Sequence, residues 1–190
     1  MAHRDNVTEL PHDLPVPQDD GAADHLAGME LPSIPLSSTS GDTVDLSSLA
    51  GLTVVFCYPM TGGPDGSVPA GWDEIPGARG CTPQACSFRD HHGELVSLAA
   101  RVYGASTQDT DYQREAAERL HLPYDLLSDG ALAFAGALGL PTFEADGMVL
   151  LKRLTMVLRD GRVEKVFYPV FPPDRSADEV IEWLSARAES

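Results

Sequence analysis

Short apolar runs separated by Gly, Pro, Asp and Ser alternate along the chain with stretches of helical spacing, and this alternation predicts a βαβ rhythm. Leu31, Ile34 and Leu36, a Ser-Thr-Ser-Gly-Asp turn at 38–42, then Val44 and Leu46 predict a small β-hairpin. Thr53-Val-Val-Phe-Cys-Tyr58 is a continuous apolar run of β-branched and aromatic residues, the pattern of a strand buried on both faces. Helical spacing begins at Thr82 and links Ala85, Phe88, Leu95, Leu98, Ala99 and Val102, after which Val102–Ser106 reads as a second strand. Thr110 with Gln113 forms a capping box for a helix to about Leu120, and Asp125–Ser128 reads as a short strand. A helix over Asp129–Leu138 is stopped by Gly139. Val149–Leu158 and Val163–Val170 flank the hairpin turn signal Asp160-Gly161. Ser176 with Glu179 opens a last helix bearing Val180, Ile181 and Leu184.

These elements predict an α/β fold with a mixed central sheet and helices on both faces. Ligands in such sheets gather beyond the carboxyl ends of the strands, where the loop leaving Tyr58 and Pro59 lies. Residues 1–28, rich in Pro, Asp and His and lacking apolar periodicity, read as an extended or loosely packed N-terminal arm, and the domain proper as 29–190.

Composition narrows the function classes. The net charge of −16 is spread along the 190 residues rather than gathered in one block, which argues against nucleic acid or an anionic membrane surface as partner. No apolar stretch approaches the ~20 residues of a membrane span, and the first residues lack the basic-then-apolar run of a secretory signal. Three cysteines make a poor disulfide framework. A reducing cytoplasm is the expected compartment, where a cysteine pair is more often catalytic than structural.

That pair is Cys81 and Cys86. With Thr82 as a preferred N-cap and Pro83 as a preferred first helical residue, Cys81 sits at the positive end of a helix dipole, with Arg79 and Arg89 near in sequence. Such a site favours the thiolate, which is the attacking form of cysteine. Five residues of helix rise about 7.5 Å and turn about 140°, placing the two Cα atoms roughly 9 Å apart. A disulfide spans at most about 7 Å, so bridging the pair requires the first turns of the helix to unravel. The competing reading is that two cysteines share a helix without chemistry, Cys86 facing the core.

Phe56-Cys-Tyr-Pro59, Gly80-Cys-Thr-Pro-Gln-Ala-Cys-Ser-Phe-Arg-Asp90, Lys152-Arg-Leu-Thr155 and Asp160-Gly161 together resemble the peroxiredoxins, in particular the bacterioferritin comigratory or Q-type group. The resemblance covers the chain from about Gly28 to its end. It implies a thioredoxin-like fold and a thiol peroxidase acting on hydrogen peroxide or organic hydroperoxides, with no metal or organic cofactor. It also implies that Cys81 is the peroxidatic and Cys86 the resolving cysteine, with a thioredoxin-like reductant as partner; a monomer or homodimer is the expected working form. Arg153 matches the distant arginine that points at the peroxidatic sulfur. The alternative on the same fold is a redox-sensing or pathway-specific binding protein with Cys81 as sensor.

The chain departs from the family pattern just before Cys81, where a Thr or Ser is expected and Ala78 stands. Pro59 lies 22 residues before Cys81, as though 60–78 were inserted between the family's proline and its cysteine. Thr61 folding back, or Thr82, would have to supply the missing hydroxyl, and Pro76 the shield over the sulfur. The Gly- and Pro-rich insertion reads either as a lid anchored by Trp72 and Ile75 or as an ordered surface loop. Cys57 reads as core, and His91 and His92 do not complete a recognised zinc-ligand spacing with the cysteines.

Overall fold

The computed structural model describes residues 9–190. Among the described residues, nine strands and five helices follow in the order β1 (Pro35–Ser38), β2 (Thr43–Asp45), β3 (Leu52–Cys57), α1 (Cys81–Asp90), α2 (His92–Ser97), β4 (Ala100–Ser106), α3 (Thr110–Arg119), β5 (Asp125–Ser128), α4 (Ala133–Leu138), β6 (Thr142–Ala145), β7 (Met148–Leu151), β8 (Leu154–Arg159), β9 (Arg162–Phe167) and α5 (Ser176–Ala188). Seven strands form one mixed sheet, ordered β2-β1-β5-β4-β3-β8-β9. β3 pairs in parallel with β4 and β4 with β5, as helical crossovers demand, while β8 runs antiparallel beside β3.

Period-two alternation along β3 divides the core. Val54, Phe56 and Tyr58 face one cluster with Cys81, Ala85 and Phe88 of α1 and Val180 and Leu184 of α5. Val55 and Cys57 face the other, with Leu127, Leu138 and Met156. Both faces are covered, so the strand is apolar from Val54 to Cys57. Cys57 is accordingly a core residue, and burial pushes its thiol up to about 12.

Several expected boundaries shift for identifiable reasons. The helical run from Thr82 breaks at His91 into α1 and α2, and β4 begins at Ala100, two residues earlier than the pattern suggested. Asp109, not Thr110, caps α3 by accepting from the Tyr112 N–H at 2.8 Å, while Gln113 is buried and donates to Ser106 Oγ and the Leu127 carbonyl. α4 starts only at Ala133, although the buried Asp129 carboxylate accepts from the Phe134 and Ala135 N–H groups ahead of it. The arm is not loose throughout: Ala23 and Leu26 belong to the core and His25 Nε2 donates to the Leu138 carbonyl. Two positive-φ residues at Asp160 and Gly161 build the expected β8–β9 turn.

The run Val149–Leu158 is not one strand. Asp146 and Gly147, both at positive φ, turn β6 into β7 as a separate two-stranded sheet, a hairpin the apolar pattern did not reveal. The chain then leaves this small sheet at Lys152-Arg153 and joins the large one as β8. Arg153 therefore sits at a switch between sheets, and it is turned inward, 3% exposed.

Candidate active site

The helix that carries both cysteines starts on a glycine. Gly80, at φ 112, precedes the first residue of α1, so Cys81 itself opens the helix and Thr82 and Pro83 lie within it. A side chain at position 80 would strike Pro173 Cγ at 2.3 Å and Leu10 Cδ2 at 3.1 Å, so both backbone angle and space require glycine there. The site occupies the end of the sheet where β3 gives way to its loop, as expected for this architecture.

Cys81 is 4% exposed, and its sulfur is fixed by two polar contacts. Arg153 Nη2 donates to Sγ at 3.2 Å, and Sγ donates to the Ala78 carbonyl at 3.7 Å. The same Nη2 lies 3.2, 3.0 and 3.3 Å from the carbonyls of Gly77, Ala78 and Arg79. One guanidinium nitrogen thus ties the sulfur to the segment leading into it. Nη1 donates to Gln84 Oε1, Gln84 Nε2 donates to Ser176 Oγ at 3.2 Å, and Thr155 Oγ1 stands 3.3 Å from that hydroxyl. Gln84, Ser176 and Thr155 are all buried.

This network contains residues that sequence reasoning passed over. Gln84 stands three positions after Cys81, on the same face of the first helical turn, and that spacing was the available signal. Ser176 was expected as a helix cap; its hydroxyl instead joins the buried chain and makes no capping hydrogen bond. Arg153 Nε has no partner among the described residues.

Other expected residues lie apart from the sulfur. The Thr61 hydroxyl donates to Gln108 Oε1 at 3.4 Å, and the Thr61 carbonyl accepts from Tyr112 Oη at 2.9 Å, so Thr61 does not fold back to supply the hydroxyl missing at Ala78. Thr82 does line the cavity at Cys81, together with Met60, whereas Pro59 is buried outside its lining. Pro76 is exposed and lines a different cavity, on the Arg153 side, so it does not shield the sulfur. Arg79 pairs with Asp73 at 2.9 Å along the Cys81 cavity. Arg89 pairs with Asp90 and donates to the Leu120 carbonyl. His91 bonds the Ser87 carbonyl and Asp178, while the His92 ring faces Tyr124 at 6.2 Å.

Cys86 lies half-buried further along the same helix, packed beside the α1 and α5 cluster. Burial raises its thiol above the ordinary range, with the Arg89 cation pulling the other way. All three cysteines are free. The unbroken α1 keeps Cys81 and Cys86 roughly 9 Å apart at their Cα atoms, beyond disulfide reach.

A family model described as Redoxin matches residues 26–181. The chloroplastic peroxiredoxin Q of Arabidopsis thaliana is 32% identical over 163 residues, covering 84% of this chain and 67% of that protein. The chloroplastic peroxiredoxin Q of Populus jackii is 29% identical over 160 residues, covering 84% of this chain and 68% of the relative. The chain thus spans about two thirds of the length of these plant proteins. Among solved structures, peroxidoxin BcpB of Mycobacterium tuberculosis superposes with a TM-score of 0.68 at 29% identity, covering 84% of this chain and 96% of that one. The bacterioferritin comigratory protein of Xanthomonas campestris, at 22% identity and a TM-score of 0.66, covers 93% of this chain and 99% of its own and shares the fold. With its thioredoxin-like fold and a match to the family model across most of its length, the chain belongs to the redoxin family, as a peroxiredoxin of the Q or bacterioferritin comigratory type.

Proposed function

We propose that Cys81 carries the thiol-dependent peroxidase chemistry of this peroxiredoxin and that Cys86 resolves it. The observation that carries this reading is the single guanidinium of Arg153 bonded at once to the Cys81 sulfur and to three carbonyls of the segment before it. A cation held at that distance complements a thiolate.

The Cys81 thiolate attacks one peroxide oxygen, the O–O bond breaks, and sulfur loses two electrons to become a sulfenic acid. The departing oxygen takes a proton and leaves as water or an alcohol. The Cys86 thiol then condenses with the sulfenic acid, releasing water and forming a disulfide. This second step requires the first turns of α1 to open, because the folded helix holds the two residues too far apart. Oxidation of the thiolate removes the charge that Arg153 binds, which loosens the helix start when opening is needed. A thioredoxin-like dithiol returns the disulfide to two thiols by exchange. A reducing cytoplasm, which the odd count of three cysteines supports, is the compartment we propose.

Peroxide consumption with a thioredoxin system should be abolished by Cys81→Ser, while Cys86→Ser should stop after one turnover and accumulate a sulfenic acid seen as a dimedone adduct by mass. Consumption by the unmodified protein no greater than by Cys81→Ser overturns the assignment. A Cys57–Cys81 disulfide in its place would transfer the resolving role.

A further inference from the structure

The Cys81 sulfur is occupied on its inner side by Arg153 and the Ala78 carbonyl. What remains open is a cavity of about 50 Å³, and the insertion supplies its outer wall through Met60, Gly62, Gly66, Val68 and Trp72. A cavity needs about 10–15 Å³ to hold one water molecule, whereas an apolar cavity that accepts a benzene ring measures about 150 Å³. The space beside the sulfur therefore holds a two-oxygen molecule but is about one third of what an enclosed aryl group needs, so an aryl substituent would have to press against the insertion. A larger cavity of about 280 Å³ reaches Arg153 but has no wall formed by Cys81, so a bulky peroxide seated there does not touch the reacting sulfur.

The wall is built to stay in place. Trp72 is 3% exposed and packs against Met60, Ala78 and Leu150, its ring 6.1 Å from that of Phe143. At the other end, Tyr112 Oη and Arg119 Nη2 donate to the carbonyls of Thr61 and Gly62 at 2.9 and 3.1 Å. The methyl group of Ala78, standing where a hydroxyl was expected, is part of this packing and is fully buried.

We infer that the 60–78 insertion is a size filter that admits hydrogen peroxide to Cys81 and excludes hydroperoxides with bulky organic substituents. This rests on Cys81 being the reacting thiol, and it assigns to the insertion the choice of oxidant. Misfit of a group or two against a pocket wall is worth on the order of 10–200-fold in discrimination.

The test is the second-order rate of Cys81 oxidation by hydrogen peroxide and by cumene hydroperoxide, measured on the full chain. The unmodified protein should favour hydrogen peroxide by on the order of 10–200-fold. Trp72→Ala, which removes the anchor, should lower that ratio about tenfold or more. Val68→Ala changes the wall at a position already 39% exposed, where folding is not at stake, and should lower the ratio to a smaller extent. Equal or faster oxidation of the unmodified protein by cumene hydroperoxide, or a ratio that neither variant moves, overturns the filter alone. No oxidation of Cys81 by either peroxide overturns the peroxidase assignment and the filter with it.

Discussion

The two walls around Cys81 are made differently. The inner wall is polar and buried: Arg153, Gln84, Ser176 and Thr155 come from the sheet switch before β8, from α1, from α5 and from β8, and each is held by the core on which its element packs. The outer wall is a loop whose only regular structure is one short 3₁₀ turn at Trp72–Glu74, fixed by an aromatic anchor and a few hydrogen bonds to carbonyls. The difference separates two tasks. Chemistry depends on sub-ångström placement of a charge and is built from rigid elements, whereas access depends on space and is left to a segment whose length and composition can vary without unfolding the domain.

If this division holds, changing the inner wall should have the largest effect on rate. Arg153→Lys keeps a positive charge but loses the fork that reaches sulfur, three carbonyls and Gln84 together, and kcat/KM for hydrogen peroxide should fall by about 10²–10³-fold. Gln84→Ala should cost less in rate, but it leaves Arg153 Nη1 unpaired in a buried site, a loss of about 1–3 kcal/mol readable in urea unfolding. An inner-wall variant that altered oxidant preference but not rate would erase the distinction between the walls.

The two remaining cysteines, Cys86 of α1 and Cys57 of β3, sharpen the comparison through pH. Burial raises the Cys86 thiol above its ordinary range and pushes Cys57 up to about 12, so both are protonated in the native protein near pH 7. Because only the thiolate alkylates, iodoacetamide labelling of Cys86 in Cys81→Ser should rise about tenfold per pH unit from pH 6 to 8. Cys57 should stay unlabelled until the protein unfolds. A flat Cys86 profile would mean that the thiol is already ionised.

The smallest effect is expected where the N-terminal arm reaches the site. A side chain at Gly77 would meet Pro17 Cβ at 3.5 Å, and Asp20 accepts from Lys152 Nζ and Tyr168 Oη at 3.2 and 2.9 Å. The Tyr168 hydrogen bond, with help from the Ala22 N–H and Lys152, holds the Asp20 carboxyl at about 2, below its ordinary 3.8. A depressed folded value means the clasp contributes stability above pH 3.8 and loses it as pH falls toward 2. Asp20→Asn should therefore lower the thermal midpoint slightly at pH 7 and by less at pH 2.

Much of this molecule is legible in its sequence. Strand β3, the β1–β2 hairpin, β5 and the β8–β9 turn follow from apolar runs and from turn residues with local conformational demands, because a strand buried on both faces and a positive-φ turn each leave few residue types to choose from. The placement of Cys81 and Cys86 on one helix and their separation along it followed from helix geometry, and the arginine beside Cys81 from resemblance. The sequence left the insertion open between a lid anchored by Trp72 and Ile75 and a surface loop, and the structure buries Trp72 against Met60, Ala78 and Leu150.

What only the tertiary structure decided is who meets whom. A local pattern gave no sign that Ser176 would leave its capping role for a buried hydrogen-bond chain, that Thr61 would face Gln108 and not the sulfur, or that Leu26 would join the core from an apparently formless arm. The run through Val149–Leu158 looked continuous, yet its break at Lys152-Arg153 is what turns the guanidinium inward. The physical reason is common to all of these. Periodicity reports whether a residue is buried or exposed within its own element, while hydrogen-bond partners and cavity walls are set by packing between elements far apart in the chain.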